Sequence, residues 1–293
     1  MDVLMSEPQC VTLPDGSKEW RMNGGLHRED GPAATWADGA QVWCINGKRH
    51  REDGPAIVWA DGSQEWYRDG KRHRENGPAM IMPNGDQGWF YEDSLHRDGG
   101  PAVVLADGTQ EWYCKGSLHR KDGPAIVRAD GNQFWYFNGR LHREDGPAIV
   151  WADGSQFWYF NGKLHRDDGG PAIVWADGYQ EWRCNGKRHR KDGPALIRAD
   201  GSQIWYLDGI IHRDDGPAVI SVDSSQEWYR DGKRHREDGP AVILANGTQI
   251  WYRNGKRHRE DGPAVVWHDG TEEYWKHGRR VIKNDQQPPS ARR

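Results

Sequence analysis

The chain has 293 residues, and only 35% of them are apolar, which excludes a thick aliphatic core. Its 40 basic and 44 acidic residues nearly cancel, which excludes the uniformly basic surface typical of nucleic-acid-binding proteins. The 17 Trp and 10 Tyr side chains can each bury a large area, so we expect aromatic packing to hold the fold together.

The first residues, MDVLMSEPQC, carry acidic side chains and no apolar segment, so no signal peptide is predicted. No apolar run of about 18 residues follows that could span a membrane. We therefore expect a cytoplasmic protein, which for a viral protein means the host cytoplasm. Cys10, Cys44, Cys114 and Cys184 lack CxxC spacing, and we expect them to be reduced and to occupy strand positions.

A histidine–arginine pair recurs along the chain and defines an internal repeat. The step between successive pairs is 23 residues, except between His165 and His189, where an extra glycine makes it 24. Gly-Pro-Ala tripeptides follow the same period, from Gly31 to Gly262. The sequence therefore predicts one uninterrupted array.

Each repeat is predicted to be a β-hairpin. Around residue 60, the apolar pair Ile57-Val58 is followed by Asp61-Gly62 and then by the aromatic pair Trp66-Tyr67. Asp-Gly and Asn-Gly favour two-residue turns with positive φ, and the frequent glycine and proline exclude helices. We expect about two short strands per repeat, joined to the next repeat by a loop of the GKRHREDG type.

The pattern also predicts which face of the sheet is buried. If Asp61-Gly62 is a two-residue turn, alternation places Gln64 on the face of Ile57. The Trp66 position is tryptophan in every repeat, whereas the Trp59 position changes to arginine or serine in some repeats. We therefore expect the Trp66 row to be the most continuously buried.

The strings NGKRH and ADGSQEWY, at this period, resemble MORN repeats (membrane occupation and recognition nexus) and their bacterial and viral variants. The resemblance implies an all-β fold, an elongated tandem β-hairpin array with a single twisted antiparallel sheet. Tryptophan stands where the family usually has tyrosine, and REDGPA replaces a shorter GxG. We expect an N-terminal cap at residues 1–13, the repeats at 14–278, and a C-terminal cap with a disordered tail at 279–293.

Several motifs that look catalytic are interpreted as structural. His96-Arg97-Asp98 matches the tripeptide of the kinase catalytic loop, but no other kinase motif is present in the sequence. Acid–base chemistry needs one environment that differs from its relatives, whereas the repeats offer similar environments. Equivalent histidines should lie about 10 Å apart, too far to share a metal ion. We therefore expect no enzyme activity, no cofactor and no metal.

An array of equivalent repeats offers many similar contact points. We therefore expect a scaffold that binds a protein partner or organises an assembly, including a sequestering protein of phage or viral type. The candidate contacts are tryptophans at the variable position, Trp59, Trp151 and Trp175.

The alternative is a peripheral module that binds anionic lipid through its basic loops. Most of these loops are followed by acids, which nearly cancel their charge, and nucleic acid is disfavoured as a partner for the same reason. The candidate loop residues are Lys48, Arg49, Lys71, Arg72, Lys187, Arg188, Lys233, Arg234, Lys256 and Arg257.

Overall fold

The structure, a computed structural model, describes residues 7–282. Within this range the chain forms strands and turns without a helix, and hence without a helix that could span a membrane. The predicted all-β class and the tandem β-hairpin repeats are confirmed. The segment expected to be an N-terminal cap contributes a strand, Gln9–Thr12. Of the expected cap and tail segments, residues 1–6 and 283–293 lie outside the described range.

The chain divides into two compact units, and the first comprises residues 1–144 and 148–152. Its strands, in chain order, are β1 Gln9–Thr12, β2 Lys18–Met22, β3 Gly25–Leu26, β4 Ala34–Thr35, β5 Gln41–Val42, β6 Cys44–Ile45, β7 Lys48–Arg49, β8 Ile57–Val58, β9 Gln64–Glu65, β10 Tyr67–Arg68, β11 Lys71–Arg72, β12 Met80–Ile81, β13 Gln87–Gly88, β14 Phe90–Tyr91, β15 Ser94–Leu95, β16 Val103–Val104, β17 Gln110–Glu111, β18 Tyr113–Cys114, β19 Ser117–Leu118, β20 Ile126–Val127, β21 Gln133–Phe134, β22 Tyr136–Phe137, β23 Arg140–Leu141 and β24 Ile149–Val150.

The second unit comprises residues 145–147 and 153–293. Its strands are β25 Gln156–Phe157, β26 Tyr159–Phe160, β27 Lys163–Leu164, β28 Ile173–Val174, β29 Gln180–Glu181, β30 Arg183–Cys184, β31 Lys187–Arg188, β32 Leu196–Ile197, β33 Gln203–Ile204, β34 Tyr206–Leu207, β35 Ile210–Ile211, β36 Val219–Ile220, β37 Gln226–Glu227, β38 Tyr229–Arg230, β39 Lys233–Arg234, β40 Val242–Ile243, β41 Gln249–Ile250, β42 Tyr252–Arg253, β43 Lys256–Arg257, β44 Val265–Val266, β45 Glu272–Lys276 and β46 Arg279–Val281.

The first hairpin of each repeat belongs to the main antiparallel sheet of its unit. Between β8 and β9, Trp59 donates its N–H to the carbonyl of Ser63 at 2.9 Å. Gly62 donates its N–H to the carbonyl of Trp59 at 3.0 Å and has φ 89°. This is a three-residue loop closed by a glycine in the left-handed region, rather than a two-residue turn.

The longer loop changes which residues share a face. The register pairs Ile57 with Glu65, both of them buried, whereas Gln64 lies opposite Val58. The prediction that Gln64 shares the face of Ile57 is therefore wrong. One extra loop residue shifts the pairing by one position, and such a shift exchanges the faces of a strand.

The segment expected to be a loop carries a second, smaller hairpin. Strands β10 and β11 pair around Asp69-Gly70, whose φ angles are 53° and 86°. Two successive positive φ angles are what a two-residue type I′ turn requires. Between the longer strands β2 and β45 at the two ends of the array, each repeat therefore contributes the two predicted strands to the main sheet and two more to a separate hairpin.

A tryptophan joins the two hairpins of each repeat. Trp66 donates its N–H to the carbonyl of Ala79 in the next repeat at 2.8 Å, and its own carbonyl accepts the N–H of His73 at 3.1 Å. The backbone thus changes hydrogen-bonding partner at this residue, so the strands on either side are short. Successive second hairpins are also linked, because Gly70 donates its N–H to the carbonyl of Arg49 at 2.8 Å.

The most buried row is alanine rather than tryptophan. Every alanine of a Gly-Pro-Ala tripeptide is fully buried, whereas the invariant tryptophans are half-buried apart from Trp182, which is 7% exposed. The expectation that the Trp66 row would be the most continuously buried is therefore wrong. Each indole lies at the edge of its repeat, where an arginine covers its face.

Candidate functional site

An arginine lies over the ring of the invariant tryptophan in every repeat. The distance from its Cζ atom to the ring centroid is between 3.9 and 4.2 Å in all of them. The pairs are Trp20–Arg28, Trp43–Arg51, Trp66–Arg74, Trp89–Arg97, Trp112–Arg120, Trp135–Arg143, Trp158–Arg166, Trp182–Arg190, Trp205–Arg213, Trp228–Arg236 and Trp251–Arg259.

The glycine of Gly-Pro-Ala lies close to the same guanidinium. A Cβ atom added at Gly54 would lie 2.9 Å from Cζ of Arg51. Arg51 also donates from Nε to Oδ1 of Asp53 at 3.0 Å and from Nη1 to the carbonyl of Pro55 at 3.3 Å. The HREDGPA motif is therefore a structural clamp, in which tryptophan, aspartate and the Gly-Pro backbone hold one arginine.

In most repeats the histidine of the motif holds the turn of the next repeat, although Nδ1 of His73 and of His96 makes no hydrogen bond. Nδ1 of His50 accepts the N–H of Asp69 at 3.1 Å, and Nδ1 of His27 accepts that of Asn46 at 3.0 Å. Asp69 and Asn46 begin the two-residue turns of the second hairpins. Nε2 faces the carboxylate two residues further on, as at Glu29, 3.9 Å from His27. This geometry gives the histidine a role in joining repeats.

Several arginines of the predicted basic loops form ion pairs with glutamate side chains. The Nε–carboxylate distances are 2.7 Å for Arg72 and Glu65, 2.9 Å for Arg188 and Glu181, and 2.8 Å for Arg234 and Glu227. Arg257 lies 3.7 Å from Glu273, and Cζ of Arg49 lies 5.2 Å from the ring centroid of Tyr67. Lys48, Lys71, Lys187, Lys233 and Lys256 are exposed, and Lys71 pairs with Glu92 at 3.3 Å. The lysines and Arg49 are therefore the more accessible charges of these loops.

The acid of one such pair is deeply buried. Glu181 is 2% exposed, and it accepts hydrogen bonds from Arg188, Arg183 and Tyr179. Burial opposes the ionisation of Glu181, but its bonds to Arg188 and Tyr179 and the charge of Arg183 outweigh burial and lower its pKa. Burial and the bond to Glu181 raise the pKa of Tyr179 to about 12. These groups form an internal ion cluster.

The tryptophans predicted as partner contacts differ in exposure. Trp59 is 38% exposed and Trp175 is 43% exposed, whereas Trp151 is half-buried. The indole N–H of Trp59 is donated to Oε1 of Glu65 at 2.9 Å, so this side chain is partly fixed to the sheet. Their role in binding stays a prediction.

A second row of exposed apolar side chains was not predicted from the sequence. This exposed hairpin row consists of Tyr91 and Phe137 in the first unit, and Phe160 and Leu207 in the second, which are 41–54% exposed. Each stands two residues after the invariant tryptophan. Arginine occupies the equivalent position at Arg68, Arg230 and Arg253. Comparing this position between repeats, apolar in some and arginine in others, is the signal that could have found the row.

Histidine rings flank the aromatic members of this row. The ring centroid of Tyr91 lies 4.8 Å from that of His73 and 6.2 Å from that of His96. The ring centroid of Phe137 lies 4.7 Å from that of His119. These contacts fix the rings while leaving them accessible.

Open grooves lie between consecutive HREDG-type loops of the same unit. Their volumes are about 620 Å³ between the loops of Arg51 and Arg74, about 520 Å³ between those of Arg74 and Arg97, and about 480 Å³ between those of Arg213 and Arg236. Tyr91 lines the second groove. Each groove thus combines aromatic rings with charges of both signs.

One group of histidine and glutamate side chains within residues 7–282 has metal-binding spacing, His258, Glu260 and His277. The sequence signal is a histidine in the final His-Gly turn, at a position where nine other repeats have asparagine or aspartate.

No protein-family model matches the chain, and no curated protein matches it at a significant level.

Proposed function

We propose that the chain is a non-enzymatic scaffold of MORN-like repeats that binds a protein partner through the exposed hairpin row. The observation that carries this proposal is the exposure, 41–54%, of four large apolar side chains at one repeat position. Exposed apolar side chains that recur at one position of a repeat array offer a series of similar contacts to a partner. Because the position recurs in each unit, several weak contacts can add to one binding event.

The row is held in place before binding. Phe137 lies directly before the turn at Asn138-Gly139, and the N–H of Asn138 is donated to Nδ1 of His119 at 3.3 Å. Asn138 Oδ1 also lies 3.0 Å from that nitrogen. A side chain fixed by its own hairpin and by the preceding repeat loses little freedom on binding, which favours affinity.

The grooves beside the row suit a polypeptide better than a uniformly anionic surface. Arg51, Glu52 and Asp53 line one groove together with Trp66 and Tyr67. Charges of both signs around aromatic side chains are typical of the polar rim of protein interfaces. The arginines bound to Glu65 and Glu181 are less available to lipid headgroups, so the anionic-lipid alternative depends mainly on the lysines.

The proposal is tested by replacing the row with arginine. The combined variant Tyr91→Arg, Phe137→Arg, Phe160→Arg and Leu207→Arg should keep its fold, because other repeats carry arginine at this position. Tagged wild type and variant are used to capture proteins from the source cell, with quantitative mass spectrometry. We expect a partner that the wild type retains and the variant loses at least about tenfold, which corresponds to about 1.4 kcal/mol.

A matched variant separates the two apolar surfaces. Trp59→Arg with Trp175→Arg should also fold, because Arg128 and Arg198 stand at that position in other repeats. We expect this variant to capture the partner as the wild type does. Loss of capture in the tryptophan variant alone would move the contact to the predicted tryptophans and overturn the assignment to the hairpin row.

Liposome flotation tests the lipid alternative. Binding to anionic vesicles that disappears with salt, and on changing Lys48, Lys71, Lys187, Lys233 and Lys256 to glutamine, would favour a membrane-surface role. We expect no such flotation.

A further inference from the structure

We infer that the grooves between the HREDG-type loops of the first unit bind a proline-rich segment in the polyproline II conformation. This inference names the kind of partner and rests on the proposed function. Two of the grooves are consecutive, because the loop of Arg74 borders both of them. Trp66 lines the first groove and Trp89 lines the second. One elongated peptide can therefore lie across both grooves.

The invariant tryptophan of each of these grooves offers a free hydrogen-bond donor. The indole N–H groups of Trp66 and Trp89 make no hydrogen bond within residues 7–282, and neither nitrogen is buried. Trp228 offers the same free donor in the groove between the loops of Arg213 and Arg236. An indole N–H usually finds a partner when its ring is covered. These donors are therefore available to acceptor groups of a ligand.

One repeat shows that a peptide carbonyl fits this donor. The extra glycine of the 24-residue step lies in the loop before Trp182. The indole N–H of Trp182 is donated to the carbonyl of Gly169 at 2.9 Å, and this tryptophan is buried, whereas Trp66 and Trp89 are half-buried. The longer loop thus supplies from within the chain the carbonyl that we expect a ligand to supply at the other tryptophans.

The spacing of the donors favours the polyproline II conformation. Two main-sheet strands per repeat, about 4.8 Å apart, place equivalent indoles about 9.6 Å apart. A polyproline II helix rises about 3.1 Å per residue with three residues per turn, so equivalent carbonyls recur about every 9.3 Å. A β-strand presents equivalent groups at every second residue, about 6.7 Å apart, and does not match. The carbonyls of polyproline II make no internal hydrogen bonds, so they can accept the indole N–H groups.

Aromatic and acidic side chains complete the surface. The exposed ring of Tyr91 lines the second groove, and aromatic-lined grooves are a common means of recognising proline-rich segments. The guanidinium groups of Arg51 and Arg74 are stacked on indoles, whereas Glu52 in the first groove and Asp98 in the second are exposed. We therefore expect a basic residue at the third position of each proline-rich triplet.

The test is fluorescence anisotropy of the full chain with a labelled peptide of repeated Pro-Pro-Lys triplets. We expect saturable binding, and we expect none to a Gly-Ser-Lys peptide of equal length and charge, which lacks the preformed helix. Trp66→Phe with Trp89→Phe removes both N–H groups but keeps aromatic rings for the arginines. This variant should bind at least about fivefold more weakly, as expected for the loss of two ordinary hydrogen bonds.

Trp182→Phe is the matched control. Its indole N–H is already bound to Gly169, so this variant should bind the peptide like the wild type. Thermal unfolding of each variant without peptide shows whether it folds.

The indole N–H resonances of the wild type locate the contact without depending on the folding of a variant. The resonances of Trp66 and Trp89 should shift on addition of the peptide, and that of Trp182 should not. No binding of the Pro-Pro-Lys peptide, equal binding of both peptides, or unchanged resonances of Trp66 and Trp89 would overturn the inference. If the exposed hairpin row captured a partner while the peptide did not bind, the inference would fail and the proposed function would stand.

Discussion

A guanidinium stacked on an indole recurs in every repeat and joins its two hairpins. In the repeat at residue 112, Cζ of Arg120 lies 3.9 Å from the ring centroid of Trp112, and Nη1 donates to the carbonyl of Pro124 at 3.2 Å. We expect Trp112→Ala and Arg120→Ala to be coupled by about 1–2 kcal/mol in the free energy of unfolding, because cation–π contacts of partly desolvated groups have this strength. Urea denaturation of the four proteins of a double-mutant cycle measures it.

A second arginine provides the control for that cycle. Arg128 lies over Phe134, with Cζ 5.0 Å from the ring centroid. The coupling of Trp112→Ala with Arg128→Ala should therefore be close to zero. If both cycles gave the same coupling, the stacking of Arg120 on Trp112 would not be a stabilising contact.

The buried carboxylate of Glu181 makes stability depend on pH. Its pKa in the folded state lies below the ordinary value of 4.5, so its contribution is complete above that value and is lost as pH falls through the folded-state pKa. We expect Glu181→Gln to lower the free energy of unfolding by about 1.5–3 kcal/mol at neutral pH, the range for hydrogen bonds to charged groups. The difference from wild type should shrink below pH 4.5, as denaturant unfolding at acid and neutral pH would show. A difference that did not change with pH would contradict this account.

At the scale of the hairpin, one dipeptide forms two different turns. Asp61-Gly62 closes a three-residue loop, whereas Asp69-Gly70 forms a two-residue turn in which both residues have positive φ. The sequence correctly predicted one hairpin per repeat in the main sheet, because Asp-Gly is compatible with both kinds of turn. It could not predict the register, because the choice between the turns depends on how the strands pair with neighbouring repeats.

The candidate contacts were predictable to a similar extent. The sequence marked Trp59 and Trp175 as variable positions, and the structure leaves both partly exposed. It did not reveal Tyr91 or Phe137, because the GKRHREDG segment was expected to be a loop and its hairpin was missed. Nor could it show that Arg72 would be held by Glu65, since that contact depends on the folding back of β11 onto β10.

The two-residue turns favour residues that tolerate positive φ, and Lys115 is an exception. Lys115 has φ 49°, the same angle as Asn138 in the next repeat. Asparagine adopts this region more readily than lysine, so Lys115→Asn should raise the free energy of unfolding by about 1 kcal/mol. Thermal or urea unfolding measures the change. Asn138→Lys is the reverse control and should lower stability; a gain in stability from both changes would contradict the turn assignment.

At the scale of the whole molecule, each repeat copies the stacking of arginine on tryptophan, and most repeats copy the histidine contact with the next turn. Such copying keeps backbone positions equivalent while the outward positions vary, as they do between Arg68 and Tyr91. Function is therefore expected at positions where repeats differ, and the exposed hairpin row is one such departure. The invariant residues build the repeated hairpins, and we propose that the variable ones determine what the chain binds.

We propose that one partner contacts the same position in several repeats of the chain. Hydrogen exchange of the wild-type chain, with and without its captured partner, tests it most directly. We predict that protection on binding recurs in the second hairpins around Tyr91, Phe137, Phe160 and Leu207, at the spacing of the repeats. Protection confined to a single repeat, or found only at the main-sheet turns of Trp59 and Trp175, would contradict it.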